Sequence, residues 1–409
     1  MSFQFLPPRF GCAAAFFAIS FIATPAFAQD SAINSGDTAW ILTATALVLF
    51  MTLPGLALFY AGLVQAKNIV SVLMHHFAIA ALMSIIWVIA GYSLAFSGDG
   101  AWFGDLNNLF MAAIAFDSAS GTIPESVFAA FQMTFAIITP ALIIGAYVER
   151  MKFAAVLIFS SAWLLAVYAP VTHWVWGGGI MAGWGVLDFA GGIVVHATAG
   201  TAALICAIVI GKRRVFPSSV QPPHSPILTM IGASMLWIGW FGFNGGSALG
   251  AGNGAGMALL VTHIAAATAS LVWMFIEWIR FGRPSVVGIV TGMVAGLATV
   301  TPASGFIGVP GGLILGLAGG AACYVAVDVI RVKLKIDDSL DVFAVHGVGG
   351  VIGSLLVAWL ALPGFGGLGL ADGVTAGSQF MVQLSSVAIT VLWTAVASYV
   401  ILKITGALV

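Results

Sequence analysis

Long apolar runs alternate with short polar connectors along nearly the whole chain. Most of these runs reach the ~20 residues that a helix needs to cross a bilayer. Eleven of them lie near residues 38–62, 69–96, 123–147, 153–175, 180–210, 226–243, 256–280, 286–301, 306–331, 342–361 and 376–404. The pattern predicts an all-α membrane protein with eleven transmembrane helices.

The composition narrows the class of protein further. Of the 409 residues, 61% are hydrophobic and 7% are charged, whereas soluble domains carry about 25% charged residues. These values exclude a soluble enzyme, a collagen-like chain and a disordered scaffold. The formal net charge of -1 lacks the basic excess that is typical of nucleic-acid-binding proteins. Cys12, Cys206 and Cys323 are scattered through apolar segments, so we expect no disulfide framework, no metal site and no cofactor.

The first 28 residues have the three parts of a secretory signal peptide. Arg9 supplies the positive charge, residues 13–22 form the apolar core, and an Ala-Phe-Ala tripeptide ends at Ala28. The alternative is an uncleaved first membrane helix, but the apolar core is short and Pro25 lies near its end. We expect cleavage after residue 28, which leaves 29–409 as the membrane domain.

Positive charges fall in every second connector between the predicted helices. These residues are Lys67, Arg150, Lys152, Lys212, Arg213, Arg214, Arg280, Arg283, Arg331, Lys333 and Lys335, with Lys403 near the chain end. The intervening connectors contain no Lys or Arg. Because cytoplasmic loops carry the excess of these residues, we expect a bacterial inner-membrane protein with a periplasmic N-terminus and a cytoplasmic C-terminus.

Two intramembrane histidines indicate an internal repeat. His196 lies in GIVVHATAG and His346 in FAVHGVGG, 150 residues or five predicted helices apart. Since five is odd, the second copy must be inverted relative to the first. We expect inverted repeats at about 38–210 and 226–361, with one extra helix at 376–404. Transporters built in this way place their functional site near the midplane, between the repeats.

An ionisable side chain inside a membrane is costly, so it is a functional candidate by default. The small neighbours of His196 and His346 would let their helices approach until the imidazoles touch. Such a pair offers a hydrogen-bond donor, an acceptor and a route for a proton. The alternative is that each histidine bonds separately to a backbone carbonyl. We interpret the other histidines as structural or interfacial: His75, His76, His173, His224 and His263.

Asp188 is the one carboxylate deep in a predicted helix and away from the basic connectors. It could neutralise a cation, or it could accept backbone N–H groups near the glycine-rich stretch 177–185 and so shape a vestibule. The second role is favoured, because a bare carboxylate would hold a cation too tightly for release. Aromatic residues such as Trp176 and Phe243 cluster nearby, and they fit either an interfacial belt or a cation-attracting pore mouth.

The longest motifs of the chain closely resemble those of the ammonium transporter family (Amt/Mep/Rh), Amt branch. They are FQMTFAIITPALIIGAYVERMKF from Phe131, HWVWGGG from His173, LDFAGGIVVH from Leu187, GWFGFNGGS from Gly239 and DDSLDVFAVHGVGG from Asp337. The resemblance covers essentially the whole mature chain. It implies a homotrimer with a pore through each subunit, and ammonium or methylammonium as the substrate.

The resemblance also implies roles for individual residues. The implied outer ammonium site consists of Trp176, Phe135, Phe243 and Ser247. The implied gate below it is Phe131 with Phe243, and the implied proton relay in the lumen is His196 with His346. Asp188 and Thr291 are implied vestibule residues, and Thr291 is expected to supply a hydroxyl beside the outer site.

The expected function is transport of ammonium by capture, deprotonation and passage of ammonia. The alternatives are an electroneutral ammonia or carbon dioxide channel and an ammonium sensor. An enzyme is not expected, because no nucleophile–base motif, metal triad or phosphate loop is visible. Family members commonly carry a cytoplasmic tail that supports regulation by PII-type signalling proteins. The sequence ends at Val409, directly after the eleventh helix, so this partner is doubtful.

Overall fold

A computed structural model describes residues 33–214, 216–218 and 222–409 of the chain. The predicted signal peptide lies outside these residues. The principal helices are α1 (Ser35–Leu63), α2 (Ala66–Phe96), α3 (Glu125–Tyr147), α4 (Phe153–Gly183), α5 (Gly192–Ile210), α6 (Pro226–Gly246), α7 (Asn253–Phe281), α8 (Val286–Val300), α9 (Val309–Lys333), α10 (Phe343–Leu360) and α11 (Ala376–Leu408). Helix α4 contains a break at 176–179, after which Ile180–Gly183 resumes the helix.

Ten of these helices are long and apolar enough to cross a membrane, and α8 is a shorter apolar helix. The prediction of eleven apolar helices is therefore confirmed within the described residues. Large apolar side chains remain exposed around the outside, such as Val70 on α2 and Ile279 on α7. Because a helix satisfies its own backbone hydrogen bonds, a helical surface covered with apolar side chains suits contact with lipid.

Helices α5 and α10 cross in opposite directions at the centre of the molecule. A Cβ atom on Gly192, at the start of α5, would lie 2.7 Å from Oγ of Ser354 in the later part of α10. A Cβ atom on Gly350 would lie 2.6 Å from Cβ of His196, and one on Gly200 would lie 2.3 Å from Cα of Gly347. Gly350 follows Gly200 by the same interval that separates the two histidines. The contacts are thus reciprocal, as an inverted repeat requires.

Helix α11 stands outside this pairing. It packs against α5, α10 and α4. Its N-terminus is fixed by a capping box, in which Thr375 and Ser378 exchange side-chain to backbone hydrogen bonds.

The fifth helix begins later than the hydropathy pattern predicts. The apolar run starts near residue 180, but α5 begins at Gly192, and residues 184–191 form a non-helical segment. Gly191 has a φ of 110°, a conformation that a side chain would strain. A second unpredicted feature is a two-stranded hairpin, β1 (Ala119–Ser120) with antiparallel β2 (Ile123–Pro124).

Candidate functional site

The two intramembrane histidines meet at the crossing of α5 and α10. Nδ1 of His196 lies 3.2 Å from Nδ1 of His346. The rings are stacked, with centroids 5.2 Å apart and an interplanar angle of 24°. Both side chains are buried. The structure therefore brings the predicted pair together, in preference to separate bonds from each ring to a backbone carbonyl.

Each histidine lies in a π-helical turn at the start of its helix. These turns are Gly192–Ala197 in α5 and Phe343–Gly347 in α10. Single π turns occur often at functional sites because they redirect a side chain out of the regular helical register. The glycines at the crossing remove the Cβ atoms that would otherwise hold the two backbones apart.

The carboxylate of Asp188 closes the start of α5. One oxygen accepts N–H groups from Gly191 and Gly192, at 3.1 and 2.6 Å, and the other accepts from Ile193 and Val194, at 2.9 and 3.1 Å. The carboxylate thus satisfies the free N–H groups of a helix N-terminus, where negative charge is also favoured. Of the two roles considered for Asp188, this geometry supports the structural one.

An aromatic stack leads from the Lys- and Arg-free side of the membrane domain to the histidines. We define it as Trp176, Phe135 and Phe243. The ring centroids of Trp176 and Phe135 are 5.9 Å apart, and those of Phe135 and Phe243 are 4.4 Å apart. Phe243 in turn stacks on His196 at 6.0 Å. Nε1 of Trp176 donates to the carbonyl of Asp188 at 2.7 Å, which fixes the indole relative to the start of α5.

Ser247 lies one helical turn beyond Phe243 on α6. Its hydroxyl donates to the carbonyl of Phe243 at 2.8 Å. Because a hydroxyl has one proton, the oxygen of Ser247 is left with acceptor capacity only. It can receive a hydrogen bond from a cation that carries N–H groups.

The predicted gate pair needs correction. The ring in contact with Phe243 is that of Phe135, tilted by 42°, whereas Phe131 packs against Phe135 at 5.0 Å and beside Gly246. Phe131 and Phe135 are four residues apart and share one face of α3. Sequence spacing alone therefore could not decide which of the two rings reaches α6.

Trp240 contacts the histidine pair, although the sequence alone left it in the general aromatic cluster. Its indole stacks on His196 with a centroid distance of 5.4 Å and an angle of 21°. Its Nε1 donates to Oγ1 of Thr301 at 2.9 Å. In the sequence, only its position about one helical turn before Phe243 and Asn244 could have distinguished Trp240 from Trp237.

A cavity of about 350 Å³ reaches His346 from the side of the basic connectors. Its wall includes an ion pair in which Nε of Arg331 lies 2.7 Å from Oδ1 of Asp341. Thr291 also lines this cavity. The expectation that Thr291 lies beside the outer site is therefore wrong. Helix α8 starts at Val286 next to a basic connector, so its sixth residue is only about 8 Å into the helix.

Known proteins resemble this chain in both sequence and fold. The sequence model of the Ammonium Transporter Family matches residues 39–409. The chain belongs to the ammonium transporter family. It is 43% identical to an "Ammonium transporter" of Aquifex aeolicus over 96% of this chain and 92% of the relative. The crystal structure of Saccharomyces cerevisiae Mep2 is similar, with a TM-score of 0.82, 34% identity and coverage of 91% and 88% of the two chains.

A second solved structure, named "Sensor Amt Protein", matches with a TM-score of 0.84. It is 28% identical, and the match covers 90% of this chain and 92% of that chain.

The remaining histidines of this ammonium transporter family member have structural surroundings. His75 stacks on Phe153 and His76 packs edge-on against Tyr60. Both ring nitrogens of His173 approach backbone carbonyls, those of Ala95 and Gly100, at 3.1 and 2.5 Å. His263 packs against Trp237 and Phe241, and His224 is exposed. Among the described residues, no group of three potential metal ligands occurs.

Asp338 is a counterpart of Asp188 that sequence reasoning missed. Each precedes its histidine by eight positions, and Oδ2 of Asp338 accepts the N–H of Phe343 at the start of α10, at 2.7 Å. Applying the repeat interval to Asp188 would have found it.

The basic connectors of this family member are joined by ionic contacts around Asp337. Arg213 donates to its carboxylate through NH2, Nε and the backbone N–H, at 2.8, 3.0 and 2.8 Å. Arg150 lies 3.7 Å away, and Arg213 also lies 3.7 Å from Glu149. Burial would raise the pKa of Asp337, but the hydrogen bonds and charge of Arg213 outweigh it and hold this pKa below its ordinary value.

Proposed function

We propose that this protein carries ammonium across the membrane by capturing the cation at the aromatic stack, removing one proton and passing ammonia by the histidine pair. The observation that carries the proposal is the direct contact of His196 with His346, buried beneath Phe243. The membership of the ammonium transporter family, and relatives named as transporters, support it.

Capture would use two kinds of contact. The faces of Trp176 and Phe135 attract a cation, by ~2 kcal/mol or more once it is desolvated. The oxygen of Ser247 supplies the hydrogen-bond acceptor. Potassium is attracted by the same rings and can also be coordinated by a hydroxyl oxygen, so capture separates the two ions only weakly.

Deprotonation would separate ammonium from potassium more strongly than capture does. A full charge at the bilayer centre costs at least ~2.5–3.5 kcal/mol on insertion scales. Ammonium avoids this cost by dividing into neutral ammonia and a proton, which potassium cannot do. Ammonia then passes the two rings of Phe135 and Phe243, which we propose as the gate in place of the pair with Phe131.

The proton would travel through the histidine pair. An incoming proton binds the bare Nε2 of one ring, the shared proton shifts between the two Nδ1 atoms, and the proton on the other Nε2 leaves. It rejoins ammonia in the cavity beyond His346. One ammonium enters and one leaves, so one positive charge crosses. The pair is then left with its tautomers exchanged, and the reverse exchange must restore them before the next passage.

We further propose that the functional assembly is a homotrimer with a pore in each subunit, in a bacterial inner membrane. The side with Lys and Arg would be cytoplasmic, because those connectors carry the basic residues. Capture would then occur on the periplasmic side.

The test is the current from proteoliposomes on a solid-supported membrane after pulses of ammonium and then of potassium. We expect a saturable ammonium current and no potassium current. The absence of an ammonium current together with a rapid change of internal pH would contradict charge transport and favour a neutral ammonia channel.

A second candidate function is ammonium sensing, favoured by the similarity to the structure named "Sensor Amt Protein". A sensor would bind ammonium at the outer site but give neither sustained current nor an internal pH change. Saturable quenching of tryptophan fluorescence by ammonium, without flux, would support this alternative.

A further inference from the structure

Helix α11, which the repeat leaves over, carries two buried amides near its N-terminal end. Gln379 is 5% exposed and Gln383 is fully buried. An unpaired amide in such a place is costly. Both amides donate hydrogen bonds to backbone carbonyls beyond their own helix.

The amide of Gln383 uses its full hydrogen-bonding capacity. Its Nε2 donates to the carbonyls of Leu187 and Ser354, at 2.8 and 2.7 Å. Its Oε1 accepts from the backbone N–H of Leu187 at 2.8 Å and from Nε2 of Gln379 at 3.1 Å. Gln379 also donates to the carbonyl of Gly185 at 3.0 Å. Two donors and two acceptor positions are all that a glutamine side chain has.

These partners belong to the two helices that carry the histidines. Leu187 lies in the non-helical segment that leads into α5 and His196, and Ser354 lies in α10, two turns beyond His346. The Gln383 side chain therefore connects the segment before α5 to the later part of α10 through hydrogen bonds.

The same segment also holds the aromatic stack. Asp188, directly after Leu187, accepts the indole N–H of Trp176 on its carbonyl and the N–H groups at the start of α5 on its carboxylate. A displacement of Leu187 would move Trp176 and the start of α5 together.

We propose that Gln383, supported by Gln379, is a positioning residue that sets the place of Trp176 and the contact between the two histidines. This proposal rests on the proposed transport function. Helix α11 is then a clamp for the site as well as a packing element. A polar bond that served only to hold helices together would change the stability of the protein but not its response to the substrate.

The deciding variant is Gln383→Met, which keeps the volume and removes every hydrogen bond. The matched control is Ser386→Ala on the same helix, because the Ser386 hydroxyl is buried and has no hydrogen-bond partner among the described residues. Both are compared with wild type in proteoliposomes, with the ammonium pulse on a solid-supported membrane. The readouts are the half-saturating ammonium concentration and the maximal current, each at equal amounts of folded protein.

We expect Gln383→Met to raise the half-saturating concentration at least about fivefold, the lower end of typical coupling between sites, and Ser386→Ala to leave it unchanged. Trp176→Leu combined with Gln383→Met should raise it by less than the product of the single effects, because both changes act on the same indole. An unchanged half-saturating concentration in Gln383→Met, or a fully multiplicative double variant, would overturn the proposal.

If Gln383→Met does not yield folded protein, Gln379→Met decides the question, since it removes the bonds of Gln379 to Gly185 and to Gln383 and leaves the contacts of Gln383 with Leu187 and Ser354. We expect at least about a twofold rise in half-saturating concentration from the loss of these two bonds, and no rise would overturn the proposal. A wild-type protein without saturable current would instead refute the proposed function itself, so the two failures are distinguishable.

Discussion

Nδ1 of His196 lies 3.2 Å from Nδ1 of His346, so the proton in this contact belongs to one ring at a time. The ring that donates through Nδ1 has a bare Nε2, and its partner must carry hydrogen on Nε2. Nε2 of His196 is buried without a hydrogen-bond partner among the described residues. The two Nε2 atoms of the pair are therefore one acceptor and one donor, and a shift of the shared proton exchanges these roles.

Replacing His196 with alanine should break this relay. We expect His196→Ala to lower the maximal ammonium current by about tenfold or more, a modest share of what positioned proton transfer contributes. The half-saturating concentration should change little, because the aromatic stack is retained. His224→Ala, at an exposed histidine, is the control. An unaltered maximal current and unaltered ammonium selectivity in His196→Ala would refute the relay.

Trp176 should determine affinity rather than rate. Trp176→Leu removes the largest ring face of the aromatic stack, and a desolvated cation–π contact of ~2 kcal/mol corresponds to about a 30-fold rise in half-saturating ammonium concentration. The same pulse experiment measures it. Trp184→Leu, at an indole that is 39% exposed, is the matched control. Equal effects of the two substitutions would mean that both indoles serve the interfacial belt.

The architecture and the histidine pair followed from the sequence because each rests on periodic or repeated signals. Eleven apolar runs predicted the helices, and two histidines 150 residues apart predicted the repeat. Positions within one helix were less certain. Phe131 and Phe135 share a face of α3, and only the packed structure assigns Phe135 to the contact with Phe243. The depth of Thr291 depended on where the short helix α8 begins, which hydropathy does not give.

The polar contacts of the site were beyond sequence reasoning for a different reason. Gln383 is one of several polar residues in a largely apolar run, and its partners Leu187 and Ser354 are distant in the chain. Nothing in the local pattern indicates such a tertiary hydrogen bond. The start of α5 was misplaced likewise, because the segment ahead of it is apolar and is kept from the helix by the side chain of Asp188.

Asp188→Asn should destabilise the fold strongly although it preserves the shape of the side chain. The amide oxygen can still accept the N–H groups of Gly191 and Gly192, but the amide nitrogen would face those of Ile193 and Val194, which then lack an acceptor. At about 1–3 kcal/mol for each buried unpaired group, we expect a loss of about 2–6 kcal/mol.

The measurement for Asp188→Asn is the thermal unfolding of the detergent-solubilised protein, followed by fluorescence. Asp372→Asn is the control, because Asp372 is exposed in a connector. A thermal midpoint of Asp188→Asn equal to that of the control would show that the carboxylate is dispensable for the start of α5.

The ionic contacts of Asp337 with Arg213 predict a pH dependence of stability. The pKa of Asp337 in the folded protein is lower than the ordinary value of 3.8. The ionised carboxylate therefore contributes its full stabilisation of the folded state above pH 3.8. This contribution is lost as the pH falls below 3.8 toward the folded-state pKa.

At pH 6, Asp337→Asn should lower the free energy of unfolding by about 1.5–3 kcal/mol, the range for a hydrogen bond to a charged group. The thermal midpoints of wild type and variant should converge as the pH is lowered from 6 to 3, since protonation removes the same charge from the wild type. A gap between the two midpoints that stays constant over this range would mean that the carboxylate acts through its shape and not its charge.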